Sequence, residues 1–254
     1  MKMLKQKSFT RTITILMWIQ VTAVILLVIV FGVLTYQQAE REMNSVATNF
    51  LNVYATQMEN RMSRMYQNLN AVLSSSADLQ LLKSDKEEDR LYASQRLRDT
   101  MQNLLSIDES AEIIVVAEAE QDVILDAYEN NMDLDNRNAV RQLVMDYAQK
   151  GEAVKNWNFY MIEDTPYLGR TLVWNTRAVG VFISTETLLK TVPDIGVSHC
   201  GFILASKDGQ VWGYAGYNHL NTNVGIRFQE LPLDHMLINE ITLEEGNIRL
   251  YSLE

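Results

Sequence analysis

The longest apolar stretch of the chain lies near its start. No Asp, Glu, Lys or Arg occurs from Thr12 to Ala39, and residues 13–34 are mostly apolar. A helix needs about 20 such residues to cross the hydrocarbon core of a bilayer. The pattern therefore predicts a transmembrane helix over residues 12–36, after a short tail of residues 1–11.

The charges on either side of this stretch predict its orientation. Lys2, Lys5, Lys7 and Arg11 precede it without an acid among them, and basic residues remain on the cytoplasmic side of a span. We expect a single-pass plasma-membrane protein whose residues after about 36 are extracellular. The alternative is a cleaved signal peptide, whose apolar core is usually about 7–15 residues and ends at small residues. The longer core and Thr35-Tyr36-Gln37-Gln38 favour an uncleaved anchor.

A helical period continues beyond the span. Apolar residues recur every three or four positions, which places them on one helix face, and no proline or glycine interrupts residues 37–82. The pattern predicts one rod over residues 12–82, about 105 Å long. We expect its lower part to face a dimer partner and its upper part to pack on the following domain. The stripe is Met43, Ala47, Phe50, Tyr54, Met58, Met62, Met65, Leu69 and Val72.

The remainder of the chain alternates between helical and strand patterns. Ser84 to Glu87 fits a capping box and predicts a second helix to about Ser106, so residues 37–106 form a helical stalk and second helix. Another helix is predicted over residues 138–150, before Gly151. Strands are predicted at 112–117, 122–126, 158–163, 167–174, 177–184, 201–205, 211–214, 237–243 and 248–253, with a short helix at 185–192. This order predicts an α+β fold with antiparallel sheets.

Composition restricts the classes of partner and chemistry. The net charge is −10, and the four basic residues before the span leave −14 on the remainder, which argues against nucleic acid as a partner. Cys200 is the only cysteine, so no intrachain disulfide forms. His199, His219 and His235 have no metal-ligand spacing, and no nucleophile elbow or phosphate-binding loop occurs. We expect no enzyme activity, no metal and no cofactor.

A family resemblance rests on residues 157–209. Trp157-Asn-Phe-Tyr160, Tyr167-Leu-Gly-Arg170, Val179 to Ser184 with Leu188-Leu189, and Ile203 to Gly209 follow one another. This layout resembles the extracellular double-Cache sensor region of Gram-positive sensor histidine kinases. The resemblance implies two PAS-like modules on the long helix: a membrane-distal one over residues 107–192 and a proximal one over residues 193–254. The chain lacks the Arg-x-Trp-Tyr run that is this family's signature for an amino-acid ligand. We expect the proximal module to be truncated at Glu254.

Polar and aromatic side chains on the distal strands form the predicted ligand site. Tyr167 and Arg170 are expected on opposite faces of the sheet because their spacing is odd. Aromatic walls with one cation suit a small anionic or sugar-like ligand, and Arg170→Ala is expected to abolish the ligand response. The alternative is that the tryptophans are core residues and Arg170 pairs with a surface acid. The predicted residues are Trp157, Tyr160, Tyr167, Arg170 and Trp174, with Asp126 and Tyr128 as further candidates.

These observations predict the ligand-sensing input region of a transmembrane signalling protein. The expected parent is a two-component histidine kinase, and the expected partners are an extracellular small molecule, membrane lipid and a second copy bound through the stalk helix. A chemotaxis receptor or a membrane-bound transcription regulator is the alternative with the same input. A further alternative is a membrane-anchored binding or scaffold protein without kinase output.

Overall fold

The structure is a computed structural model. It describes the backbone of residues 2–107, 110–129, 132–151, 156–190, 201–205, 210–216, 237–243 and 246–252, and side chains within these ranges from Thr14 to Tyr214. The chain divides into two compact units, one up to Val53 and one from Tyr54 onward. Cys200, all three histidines and residues 206–209, between the strands predicted at 201–205 and 211–214, lie outside the described residues.

The first helix, α1 (Lys2–Ser74), contains the predicted span. It is long and apolar enough to cross a membrane. Large apolar side chains are exposed on every side of it, from Ile15 to Leu34. An apolar surface on all faces of a helix is what a lipid environment requires, whereas a helix in a soluble protein shows one polar face.

The predicted uninterrupted helix to Leu82 is wrong at Ser75. There α1 ends, and a separate short helix, α2 (Ser76–Leu81), follows. Ser75 has φ −76° and ψ 40°, and Ser74 Oγ donates to the carbonyl of Asn70, 2.8 Å away. Serine hydroxyls compete with the backbone hydrogen bonds of a helix, and three consecutive serines provide a place where the helix breaks.

The next helix, α3 (Glu87–Ile107), has a different cap from the one predicted. Ser84 Oγ accepts a hydrogen bond from the Lys86 amide at 3.2 Å and donates to Asp89 at 3.2 Å. The Lys86 carbonyl accepts from the Arg90 amide at 3.3 Å, so Lys86 occupies the N-cap position and Ser84 lies two residues before it. The predicted capping box, with Ser84 as the cap and Glu87 as its partner, is therefore wrong.

Five strands form one antiparallel sheet after α3. The strands are β1 (Ile113–Glu118), β2 (Val123–Tyr128), β3 (Asn158–Ile162), β4 (Thr165–Trp174) and β5 (Arg177–Ser184). Their order across the sheet is β2-β1-β5-β4-β3. The predicted meander of the last three strands is confirmed, with Gly169 opposite Phe182 and Arg170 opposite Val181. This is the α+β architecture that the sequence predicts.

One helix lies between β2 and β3 along the chain, α4 (Leu134–Lys150). Asp133 is its N-cap and accepts from the Asp135 amide at 2.8 Å, and Gly151 ends it with φ 67°. The glycine at C′ is confirmed, because this left-handed conformation costs glycine little. The helix begins four residues earlier than predicted, since Asp133 provides the cap.

The sheet separates two hydrophobic cores. On one face, α1, α2 and α3 bury Met65, Leu69, Leu97 and Met101 against β1, β4 and β5. On the other face, α4 packs Val140, Val144 and Met145 around Phe182. We refer to these as the α1–α3 face and the α4 face. The predicted docking of the upper stripe on the domain is confirmed, because Tyr54, Met65, Leu69 and Val72 are buried.

A short helix and two hairpins complete the described chain. The helix α5 (Thr185–Lys190) follows β5 directly. The hairpins are β6 (Gly201–Ala205) with β7 (Val211–Gly216), and β8 (Leu237–Leu243) with β9 (Gly246–Ser252). Each hairpin forms its own two-stranded antiparallel sheet.

Candidate functional site

The seven predicted site residues are divided between the two faces of the sheet. Tyr167 belongs to the core under α4, whereas Arg170 lies with Tyr66 of α1, so their placement on opposite faces is confirmed. The residues on the α4 face are Asp126, Tyr128, Tyr160 and Tyr167, and those on the α1–α3 face are Trp157, Arg170 and Trp174. A single ligand therefore cannot contact all seven.

A charged cluster lies on the α4 face between β2 and α4. Arg137 donates two hydrogen bonds to the Asp126 carboxylate. Its Nε is 2.5 Å from Oδ2 and its Nη2 is 3.2 Å from Oδ1. Arg141 Nε is 3.8 Å from the same carboxylate. The Arg137 guanidinium also lies 3.9 Å from the centre of the Tyr128 ring. We call these four residues the Asp126 cluster.

The Asp126 cluster carries more positive than negative charge. The Asp126 side chain is only 2% exposed, and the two hydrogen bonds from Arg137 balance its charge. The hydrogen bond to Asp126 raises the pKa of Arg137. Arg141 is the second cation for one carboxylate, and its buried Nε makes no hydrogen bond. Because a buried donor costs free energy when it is unpaired, Arg141 favours an additional acceptor.

Sequence reasoning found Asp126 and Tyr128 but missed both arginines. Arg137 and Arg141 are four residues apart, which places them on one face of a helix. That spacing was visible in the sequence, but nothing in it indicated that this face of α4 would lie over the second strand.

The two remaining residues on this face, Tyr160 and Tyr167, make none of the contacts of the Asp126 cluster. Tyr160 is on β3, and β2 is at the opposite edge of the sheet. The two strands are separated by four strand spacings, which is about 19 Å. Its ring contacts Phe182 edge-on, with centroids 5.6 Å apart. Tyr167 is 3% exposed, and burial, with the nearby charges of Glu112 and Asp133, raises its pKa to about 12. Both tyrosines are packed in the core under α4.

Arg170 has a different environment on the α1–α3 face. Its guanidinium carbon lies 4.5 Å from the centre of the Tyr66 ring and 5.9 Å from the Trp157 ring. Its buried Nε makes no hydrogen bond, and none of the ion pairs found among the described residues involves it. Trp174, two residues after Leu172 on β4, packs against the core of the α1–α3 face. The structure brings Trp157 and Tyr66 of α1 to Arg170, whereas Trp174 lies on the same face of β4 four residues further along the strand.

The helix α5 connects the sheet to α1 and to the next hairpin. The buried carboxylate of Glu112 accepts from the Ser184 amide at 3.0 Å, from Ser184 Oγ at 2.8 Å and from Thr187 Oγ1. The carbonyls of Thr187 and Leu188 accept from Arg61 at 3.4 Å and from the Tyr54 hydroxyl at 3.5 Å. Hydrogen bonds therefore connect Glu112 and β5 to α5, and α5 to α1.

The same helix contacts β7 closely. Thr185 Oγ1 donates to the Trp212 carbonyl at 2.7 Å. A Cβ at Gly213 would lie 2.7 Å from Cδ1 of Leu189, so a larger residue there would require the Leu189 side chain to move. The Tyr54 ring also meets Phe202 of β6, with centroids 4.2 Å apart. Three elements therefore converge on α5: β5, α1 and the β6-β7 hairpin.

Among the side chains that the structure describes, no three His, Cys, Asp or Glu residues come close enough to hold a metal ion. The Asp126 cluster is suited to binding an anion, because its arginines offer a planar set of N–H donors.

Comparisons with known proteins found similarity only at the level of structure. No family model matches the chain, and no curated protein matches it either. Two solved structures of the Campylobacter jejuni chemoreceptor Tlp3 are similar. Its ligand-binding domain in complex with L-norvaline is 11% identical, with 76% of this chain and 84% of that chain covered and a TM-score of 0.42. Its sensory domain with isoleucine bound is 10% identical, with 78% and 88% covered and a TM-score of 0.40. The likeness is distant.

Proposed function

We propose that the chain is the extracellular sensory input region of a transmembrane signalling protein of the double-Cache type. The apolar surface on all sides of residues 15–34 supports a membrane span, and the basic residues before it support a cytoplasmic N-terminus. The antiparallel sheet domain follows on the same helix, α1. A sensor requires this arrangement, because a change in the domain must reach the membrane.

The Asp126 cluster is the proposed ligand site, and the surplus cation Arg141 is the observation that supports it. A small carboxylate ligand supplies the acceptor that the buried Nε of Arg141 lacks. Tyr128 provides an aromatic wall beside it. Arg170 with Trp157 and Tyr66 is the second proposed anion site, on the α1–α3 face, because its guanidinium also has an unpaired Nε.

Transmission from the Asp126 cluster is proposed to run through β1 and α5. Asp126 is paired with Val115 of β1 across the sheet, and Glu112, directly before β1, accepts a hydrogen bond from Thr187 of α5. Tyr54 and Arg61 of α1 bind the last carbonyls of α5. A ligand changes this equilibrium only if its affinity differs between two arrangements of these contacts.

The proposed output is a histidine kinase, and the stalk helix is proposed to pair with that of a second copy. A chemoreceptor or a membrane-bound transcription regulator fits the same input region. The nucleotide sequence downstream of codon 254 distinguishes them: a second span with a phospho-accepting histidine domain supports the kinase. A second span with a different cytoplasmic domain contradicts it.

Ligand binding is tested with the full chain in lipid nanodiscs. We expect a small carboxylate, from a panel of amino acids, dicarboxylates and neutral sugars, to raise the melting temperature and to bind in calorimetry. Arg141→Gln should weaken binding tenfold to a hundredfold, since it removes a hydrogen bond to a charged group worth about 1.5–3 kcal/mol.

Arg170→Gln tests the second proposed site, because it removes a half-buried arginine from the opposite face. Unchanged affinity in Arg141→Gln with a loss in Arg170→Gln would move the site to the α1–α3 face. Retained affinity in both variants would contradict a ligand site at either arginine.

A further inference from the structure

The span contains one amide side chain, that of Gln20. It is the only Asn or Gln between Thr14 and Tyr36. It lies about 6 Å along the helix axis from the midpoint of residues 12–36, well inside a hydrocarbon core about 30 Å thick. An amide at this depth has no water to bind, so its donors and acceptor need a protein partner.

The helix satisfies its threonine hydroxyls but not this amide. Thr22 Oγ1 donates to the Trp18 carbonyl and Thr35 Oγ1 to the Phe31 carbonyl, both at 2.8 Å. Gln20 makes no hydrogen bond to any residue that the structure describes. Its side chain points outward from an exposed position, where lipid provides neither donor nor acceptor.

We propose that Gln20 forms an interhelical hydrogen-bonded pair with Gln20 of a second copy of this chain. The proposal rests on the membrane placement proposed above. A side-chain amide carries both a donor and an acceptor, so two copies related by a two-fold axis satisfy each other with two N–H···O bonds. A partner with only donors or only acceptors would satisfy half of each amide.

The neighbouring residues on this face allow two helices to approach. Leu16, Ala23 and Leu27 lie three or four residues from Gln20 or from one another and share its side of the helix. Ala23, one turn along, is small enough to bring the backbones close, as small residues do at membrane helix interfaces. Thr22 is about 200° around the helix from Gln20, on the opposite side.

Disulfide cross-linking in membranes tests this pairing. The full chain with Cys200→Ser receives one new cysteine, either Ala23→Cys on the proposed interface or Ile25→Cys about 160° from Ala23. After mild oxidation we expect linked dimers from Ala23→Cys, and several times fewer from Ile25→Cys. Equal linking at the two positions would overturn the proposed interface.

The amide itself is tested by Gln20→Leu in the Ala23→Cys background. Interhelical hydrogen bonds in membranes are weak to moderate, so we expect the dimerisation constant to weaken about threefold to thirtyfold. Thr22→Val is the matched control: its hydroxyl already has a carbonyl partner on its own helix, and linking should be unchanged. A Gln20→Leu variant that links as well as the parent overturns the proposal.

Carbonate extraction separates this inference from the proposed function. Chain that remains in the membrane fraction but does not link through Ala23→Cys overturns the Gln20 pair alone. Chain that is extracted into the soluble fraction overturns both the membrane placement and the pair.

Discussion

The two faces of the five-stranded sheet carry their charges in different ways. On the α4 face, Asp126 is almost fully buried and holds Arg137 by two hydrogen bonds. On the α1–α3 face, Arg170 lies between two aromatic rings, and none of the ion pairs found among the described residues includes it. The α4 face therefore carries a neutralised ion pair with Arg141 as an additional cation beside it. The α1–α3 face carries Arg170, whose guanidinium contacts aromatic rings.

The packing of the two faces also differs. The α4 face is built around the fully buried Phe182 ring, and glycines at positions 169 and 180 leave room for it. The α1–α3 face is filled by Met, Leu and Val side chains from three helices. Flexible methionines adapt to small shifts, whereas a ring against two backbones does not. We infer that α1 is placed on the more adaptable face.

The largest expected difference comes from removing one arginine on each face. Arg137→Met leaves the buried Asp126 carboxylate with only the longer contact to Arg141, and we expect a loss of about 3 kcal/mol in the free energy of unfolding. Arg170→Met leaves no described carboxylate unpaired, so we expect a loss of about 1 kcal/mol or less. Urea unfolding of the full chain in detergent, followed by tryptophan fluorescence, measures both. Equal losses would contradict the contrast between the faces.

Overpacking at Gly169 tests the rigidity of the α4 face. A Cβ there would lie 2.1 Å from Cδ1 of Phe182, so Gly169→Ala should lower the free energy of unfolding by about 2–3 kcal/mol. Adding Phe182→Leu removes the clashing ring atoms. We expect the double variant to lose less free energy of unfolding than the two single variants lose in sum. Such non-additivity indicates that the two residues are in contact. Simple additivity would indicate that the ring has room to move.

Alkaline pH produces the most gradual of these effects. Burial raises the pKa of Tyr167 to about 12, above the unfolded value of about 10. The folded state therefore holds its proton more tightly, and this stabilisation is complete below pH 10 and is lost as the pH rises towards 12. We expect the free energy of unfolding to fall by about 1 kcal/mol per pH unit in this window because of Tyr167.

Tyr167→Phe checks this assignment, since it should reduce the slope of stability against pH between 10 and 12. Tyr54, whose pKa burial also raises to about 12, is the comparison on α1, where it contacts α5 and β6. An unchanged slope in Tyr167→Phe would show that other groups account for the pH dependence.

The alternation of side chains along the strands predicted many residues of the candidate site. It predicted only part of how these residues are divided between the two faces of the sheet. Odd spacing separates Tyr167 from Arg170, because successive strand residues point to opposite faces. The same rule does not say which helix covers which face. Arg137 and Arg141 were missed for that reason, and so was Tyr66, which is more than 90 residues from Trp157 and Arg170 in the chain.

Local rules determined the helix-forming span, the strand bounds from Arg177 to Ser184, the end of α4 at Gly151 and the antiparallel order of β3, β4 and β5. These depend on hydropathy, side-chain period and backbone conformation within a few residues. The break at Ser75 was missed because the apolar period continues across it and no proline or glycine marks it.

Only the tertiary structure decided which charges meet. The pairing of β1 with β2 and β5 brings α4 over Asp126, and the docking of α1 brings Tyr66 to Arg170. Sheet order and helix docking arise from burying apolar area between elements far apart in the chain, a non-directional force that the local pattern does not assign to particular partners. The sequence by itself determined the elements and the sides of their residues, and long-range packing decided their neighbours.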